Sequence, residues 1–340
     1  MTRVVAVGEL LLRLRAPGAE RLLQGPLLEA TFGGAEFNVL ASLARFGLAT
    51  EFVTALPDGA LAAAALGAIR QHGVGSAYVA AAPGRLGLYF LEAGNGLRPA
   101  RVVYDRAGSV FALCDPRHFD WPAILAGADC LHLTGITPAV SATAAALAGA
   151  AADAAVARGV TVSLDVNLRP QVWQTSGREP FAGLAPLLRQ ARIVFATPSD
   201  WMACLPASLP PPPGEADALA AFAAALFAEY PRLEILVAAS RRGQDASDFT
   251  LGAAAYRRSA AAVAARQIEV RAAAERIGGG DALVAGCLYG LLAGWPDPRW
   301  LDFGVAAQAL KHTISGDINR VTVQEVESAL AGGGGGRVLR

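Results

Sequence analysis

The stretch Glu275-Arg276-Ile277-Gly278-Gly279-Gly280-Asp281, running into Ala282-Leu283-Val284-Ala285-Gly286-Cys287-Leu288-Tyr289-Gly290-Leu291-Leu292, constrains this chain more than any other. Three successive glycines admit dihedrals barred to other residues and bring the backbone in with no side chain in the way. The apolar run after them has no polar face and predicts a buried helix. The first turn of such a helix carries free N–H groups and the positive end of the helix dipole, which together make an anion seat. Asp281 stands at the mouth of that seat. Two readings of it are open. It is an ordinary N-cap, since Asp is favoured there, or it accepts the proton of a hydroxyl that attacks a phosphoryl group in transfer. A flexible linker is a poorer account of the glycines, because a long apolar helix follows at once.

Around this stretch lies a neutral chain of 340 residues, 54% hydrophobic, in which 29 Lys and Arg balance 29 Asp and Glu. That length allows one large α/β domain or two smaller ones. No basic stripe marks a nucleic-acid partner, and no apolar run is long and clean enough to span a bilayer. Met1-Thr2-Arg3 leads into a strand-like run at 4–7 that is too short for a signal-peptide core. The expectation is a cytoplasmic enzyme with neither nucleic acid nor membrane among its partners. Cys114, Cys130, Cys204 and Cys287 are scattered without a C-x-x-C pair, which speaks against a disulfide framework or a zinc site. His132 falls in an apolar strand-like run and reads as core. Lys311 is the only lysine. A Walker A loop and a protein-kinase strand lysine both need a lysine in a fixed context. Lys311, followed by His312, has neither, so a phosphate grip here must use backbone N–H groups, arginine or a metal.

Taken in order, residues 4–7 read as a buried strand and 10–14 as a half-exposed one, with Arg13 and Arg15 alternating against leucines. Gly33-Gly34 opens a helix in which Phe37, Leu40, Ala41 and Ala44 recur at helical spacing and which Gly47 stops. Asn38, in its early turns, is either a solvated polar position or a ligand contact. A strand at 52–55, the turn Pro57-Asp58-Gly59 and a helix at 60–72 follow. Residues 86–92 and 101–106 read as strands joined through Gly94-Asn95-Gly96. Alternate residues of a strand share a face. Tyr104 and Arg106 therefore point the same way and Tyr89 meets them across the hairpin, as holders of an acidic ligand or as an ordinary exposed face.

From residue 130 onward, strands at 130–134, 160–164, 193–196 and 235–239 alternate with helices at 141–158 and 216–230, and helices near 300–310 and 323–330 come last. This alternation predicts a mostly parallel sheet with helices on both faces. Asp165, Asn167 and Arg169 follow one strand on one side of its carboxyl end, where open α/β sheets bind ligands. Thr197-Pro198-Ser199-Asp200 and Ser240-Arg241-Arg242-Gly243 end the next two. The hairpin breaks the alternation. With residues 9–32 it is expected to stand off the main sheet as a small β lid over the ligand edge. Residues 206–214 read as a proline-rich loop, and 332–340 as a flexible glycine-rich tail.

These residues give the chain a resemblance to the ribokinase-like (PfkB) carbohydrate kinases, and within them to 2-keto-3-deoxygluconate kinases. It covers residues 1–331 and rests on Gly33-Gly34-Ala35-Glu36-Phe37-Asn38, on Arg276-Ile277-Gly278-Gly279-Gly280-Asp281-Ala282, on Lys311-His312-Thr313-Ile314-Ser315-Gly316-Asp317 and on Ala246-Ser247-Asp248. The resemblance implies a three-layer α/β/α fold with a β lid. It also implies phosphoryl transfer from ATP, with magnesium, to a sugar-acid hydroxyl, converting 2-keto-3-deoxygluconate to its 6-phosphate. Asp281 would be the base and Gly278, Gly279 and Gly280 the anion hole. Gly34, Asn38, Tyr89, Tyr104, Arg106 and Arg169 would line the sugar-acid site, with Asp317 close by. Asn167, Ser240, Arg242, Gly243 and Asp245, together with Gly278 and Gly280, would meet the nucleotide, and Asp200 the metal. A monovalent-cation requirement and a homo-oligomer built through the lid belong to the same expectation. The chain departs from the family pattern in three places: Thr197-Pro198-Ser199-Asp200 stands for Asn-x-x-Glu, Glu275 for the usual acid six residues before the base, and Ser240-Arg241-Arg242-Gly243 for a glycine-flanked nucleotide strand end. A neutral-sugar or nucleoside kinase, and a weakly active sugar-acid binder, remain as alternatives.

Overall fold

A computed structural model describes residues 1–210, 218–243, 245 and 247–332. The last part of the proline-rich loop (211–214), the expected start of the helix at 216, Ala246 and the tail from 333 lie outside the described residues. Among the described residues, fourteen strands form two sheets. They are β1 Arg3–Val7, β2 Leu11–Arg15, β3 Glu29–Gly33, β4 Ala49–Leu56, β5 Val79–Ala81, β6 Leu88–Glu92 and β7 Arg101–Asp105, followed by β8 Cys130–Thr134, β9 Thr161–Asp165, β10 Ile193–Phe195, β11 Ile235–Gly243, β12 Phe249–Arg257, β13 Ala260–Ala264 and β14 Ile268–Val270.

The large sheet has the order β13-β12-β11-β10-β9-β8-β1-β4-β5, with β14 beside β12. It is parallel from β5 to β11 and antiparallel from β11 outward. Every residue of β8 and β10 is buried, as expected for parallel strands covered on both faces. Strand alternation then sorts side chains between two cores. Val5 and Val7 join Leu131 and Val162 under the helix Ala142–Ala157, while Val4 and Ala6 join Cys130 and Ile193 under the helices Ala35–Arg45, Gly279–Leu292 and Arg299–Lys311. The result is a three-layer α/β/α fold. The helices Gly279–Leu292 and Arg299–Lys311 meet at two glycines. A Cβ on Gly286 would come within 2.7 Å of Gly304 Cα, so side chains there would force the backbones apart. His132 is fully buried, its Nδ1 3.2 Å from Ser163 Oγ, and burial drives its pKa down to about 3. It is a core histidine. No helix among the described residues is long and apolar enough to cross a membrane.

The small sheet has the order β3-β2-β6-β7, and its strands lie in the stretches expected as the β lid, 9–32 and 86–106, with β3 running one residue further to Gly33. Tyr89 and Tyr104 stand opposite each other in the β6–β7 register. Its strand β2 corrects the sequence reading. Arg13 and Arg15 face inward and are buried, while Leu12 and Leu14 are only half-buried. Alternation identifies two faces but not which one is inside. Here carboxylates decide it. Arg13 pairs with Glu275 at 2.5 Å and with Asp317 at 3.3 Å, and Arg15 with Glu29 at 2.8 Å. Two smaller corrections follow. The strand expected at 235–239 does not stop there; β11 continues through Ser240–Gly243, hydrogen-bonded against β12 as far as Phe249. A short helix, Ile136–Val140, precedes the one expected at 141.

Lys311 is completely buried below the seam between the two sheets, and its Nζ donates to the Ile314 carbonyl at 3.2 Å. Burial lowers its pKa to about 8, against the opposing pull of Glu275 and Asp317. Breaking a buried pair by removing one partner strands the other charge. Arg13→Ala should therefore lower the unfolding free energy by roughly 3–5 kcal/mol, read by chemical denaturation. A variant as stable as the wild type would show the seam to be dispensable.

Candidate active site

The carboxyl ends of β9, β10 and β11 open into a cavity of about 560 Å³. Asp165, Asn167 and Arg169 wall one side, and Thr197, Ser199 and Asp200 continue it. The small sheet roofs it with Tyr89, Tyr104 and Arg106. The starts of two helices complete it, with Gly34, Glu36 and Asn38 on one and Gly278, Gly280 and Asp281 on the other.

Asp281 is not an N-cap. The cap of its helix is Gly278, at φ 80, and Asp281 is the third helical residue with no capping bond. Gly278 is required twice over: its φ is left-handed, and a Cβ there would overlap the carbonyl oxygen of Asp317. The first-turn amides of Gly279, Gly280 and Asp281 have no helical carbonyl to meet. The glycines differ in role. A Cβ on Gly279 would come within 2.6 Å of His312 Nε2, so this residue packs inward, whereas one on Gly280 would meet nothing within 4 Å.

Asp281 is buried, and Asn38 Nδ2 donates to its Oδ2 at 2.7 Å. Burial raises its pKa to about 7; the Asn38 bond and Arg169 oppose the rise, and Asp317 and Glu36 add to it. Asn38, left open between solvated residue and ligand contact, thus holds the carboxylate. Asp165 is likewise pushed up to about 7, by burial and then by Asp281. It accepts from the Asn167 amide at 3.1 Å and from Asn167 Nδ2 at 3.0 Å. Asn167 sits at φ 40, so strict alternation fails after Asp165, yet all three residues still reach the cavity.

The roof is partly committed to the protein itself. Arg106 Nε donates to Glu9 Oε2 at 2.7 Å, and Ser109 Oγ donates to Glu9 Oε1 at 2.5 Å. The Arg106 guanidinium also lies 5.7 Å from the Tyr104 ring centroid. Tyr89 donates to Asp317, whose carboxylate Arg13 approaches from the far side. Glu36, fully enclosed, accepts from Thr134 and Thr137 at 2.6 and 2.9 Å, and burial raises its pKa. Arg169 is exposed, and its guanidinium makes no ion pair among the described residues; it donates only to the neighbouring Leu168 carbonyl at 3.3 Å.

Asp200 turns one oxygen back to Thr197, accepting its amide at 2.7 Å and its hydroxyl at 3.0 Å, and burial raises its pKa. Among the described residues no three His, Cys, Asp or Glu side chains converge as a metal cage. Magnesium does not need one, because it commonly binds through one or two carboxylates, water and substrate phosphates. Asp200 in the cavity wall fits that mode. Ser240, Arg242, Gly243 and Asp245 do not line the cavity; they continue outward from Ala239, which does. Sequence reasoning did not single out Glu9, Glu36 and Arg276 as cavity residues. Glu36 and Arg276 lie inside quoted motifs, so their signal was present. Glu9 had none beyond its place at a strand end.

A parallel sheet whose ligand edge is roofed by a small sheet and backed by a glycine-started apolar helix is the architecture of ribokinase-like phosphotransferases. Residues 1–323 match the pfkB family of carbohydrate kinases, and the chain belongs to that family. It is 32% identical over 334 residues to a 2-dehydro-3-deoxygalactonokinase of Haloferax volcanii, covering 98% of each chain. It is 27% identical over 320 residues to a 2-dehydro-3-deoxygluconokinase of Thermoproteus tenax, covering 93% of this chain and 90% of that one. The crystal structure of 2-dehydro-3-deoxygluconokinase from Thermotoga maritima superposes with a TM-score of 0.90 at 32% identity, over 97% of this chain and all of that one.

Because Gly280 faces open space, Gly280→Val should fold with near-wild-type stability while its methyl groups fill the cavity beside the helix start. The expected result is an unchanged melting temperature and a large loss of phosphoryl transfer. Full transfer would show that nothing binds over this glycine.

Proposed function

We propose that this carbohydrate kinase transfers the terminal phosphoryl group of ATP to a 2-keto-3-deoxy sugar acid, 2-keto-3-deoxygluconate giving its 6-phosphate, with Asp281 as general base. The observation that carries the reading is Arg169, a guanidinium with no ion-pair partner among the described residues, in a cavity otherwise rich in carboxylates. A planar fork suits a carboxylate, and a substrate carboxylate gives Arg169 its partner. The names of the related kinases support the same substrate class.

In this mechanism Asn38 orients Asp281, and the ionised Asp281 takes the proton of the attacking hydroxyl. The free amides of the first helical turn receive the phosphoryl oxygens. Magnesium, when bound through Asp200 and the phosphates, supplies charge neutralisation. Tyr89, Tyr104, Gly34 and Asp317 shape the sugar end. Asn167 and the outer end of β11, with Ser240, Arg242, Gly243 and Asp245, are assigned to the nucleotide. ATP as donor fits a cytoplasmic setting. One observation favours a neutral sugar instead: Arg106, the second expected carboxylate ligand, is already paired with Glu9.

The base needs its ionised form. With its pKa raised to about 7, transfer should fall as pH drops through that value. Asp165→Asn removes a neighbouring negative charge, so the limb should move to lower pH. The two carboxylates interact, so the profile reports the pair rather than either group alone. Asp281→Asn should cost roughly 10²–10⁴-fold in kcat. An Asn variant with near-normal kcat would reject the base assignment.

A phosphorylation panel tests the substrate, setting 2-keto-3-deoxygluconate and its galactonate epimer against neutral sugars of equal length. Arg169→Ala should raise KM for the acid by about tenfold or more, ~1.4 kcal/mol, a modest figure for a charge pair open to water. KM for a neutral sugar should barely move. If acid and neutral preferences stay equal while KM for ATP rises, Arg169 serves the nucleotide and the sugar-acid reading loses its support.

A further inference from the structure

Arg276 lies in the cavity wall two residues before the cap Gly278. Its backbone is fixed, since its amide donates to Glu275 Oε1 at 3.0 Å and that carboxylate is itself gripped by Arg13. Its guanidinium is not fixed. Among the described residues it makes no hydrogen bond and no ion pair, although the side chain is half-buried. Burial and the nearby Arg241 both disfavour its charge. Arg241 is the anchored member: it stacks 4.3 Å from the Phe249 ring centroid and donates to the Asp245 carbonyl at 2.7 Å. Arg276 shares the cavity lining with Gly278, Gly280 and Asp281 of the helix start.

A half-buried, unpaired guanidinium beside a helix N-terminus is a place for a polyanion, and more charge is to be met there than the amides alone can meet. We propose that Arg276 is a further catalytic residue, contacting the terminal phosphates of the donor nucleotide and neutralising charge on the phosphoryl group as it moves. In the step it serves, the sugar oxygen forms a bond to the terminal phosphorus and its proton passes to Asp281. The bond from that phosphorus to the bridging oxygen breaks, and its electron pair leaves on the second phosphate of ADP. Arg276 exchanges no proton and no electrons in this sequence; it supplies permanent positive charge to the equatorial and leaving oxygens. This role rests on phosphoryl transfer in the cavity and not on which sugar accepts.

The test uses the full chain with Arg276→Gln, which keeps a polar planar end and loses charge, and Arg276→Lys, which keeps charge and loses the planar fork. Binding of ATP, ADP and AMP is measured by calorimetry, and kcat and KM on whichever sugar the wild type phosphorylates. Arg276→Gln should lower kcat by about 10²-fold and weaken ATP binding by roughly tenfold, with AMP and sugar affinities unchanged. Arg276→Lys should recover part of kcat. A Gln variant within about threefold of wild-type kcat, or one that loses ATP and AMP affinity equally, overturns the proposal. A wild type that phosphorylates only neutral sugars would instead reject the sugar-acid reading and leave the Arg276 comparison fully informative.

Discussion

Glu275 ties the molecule together. One of its oxygens is held by Arg13 of the small sheet, and the other accepts the amides of Arg276 and Ile277 just ahead of the glycine cap. Its own carbonyl is 2.9 Å from His312 Nδ1, on the ring against which Gly279 packs. The loop after the helix Arg299–Lys311 completes the arrangement, because the Asp317 carbonyl covers Gly278 while its carboxylate meets Arg13 and Tyr89. The roof of the cavity and the start of the helix below it are thus two ends of one charged, buried network. A shift of the small sheet relative to the core cannot leave the first-turn amides undisturbed.

The cavity wall gathers carboxylates whose burial disfavours their charge. Asp165, Asp281 and Asp200 are all pushed toward their neutral forms by burial. Such a cluster is costly when empty of cations, and Arg169, whose charge opposes the rise at all three carboxylates, accounts for part of the compensation. An incoming anion and its counter-ion therefore enter a site whose charges are already arranged for them, so little reorganisation is left for the moment of reaction.

Much of this was legible in the sequence because it is local. The strand at 130–134 and the helix at 323–330 follow from short-range pattern and match the structure residue for residue. The glycine run marked the helix start for the same reason. What sequence pattern missed depends on distant partners. Arg13 turns inward for a carboxylate 262 residues away, and Arg106 is taken by one 97 residues away. Nothing in the alternation of β2 or β7 carries that information. Ser240–Gly243 looked like a strand end because its residues are polar, but pairing with β12 sustains the ladder without any apolar requirement. Asn167 broke alternation by entering a left-handed conformation that its own side chain supports through Asp165.

The burial of Lys311 has a practical meaning. Amine-directed reagents modify an accessible, neutral amine, and ordinary proteins offer them many surface lysines. This folded chain offers none, since its single lysine is sealed beneath the seam. Burial is what lowers its pKa to about 8, so when the seam parts the amine regains water and its ordinary basicity, and a reagent meets it only in that opened state. The residue is thereby a native reporter: the rate at which Lys311 takes up a label counts the openings between roof and core.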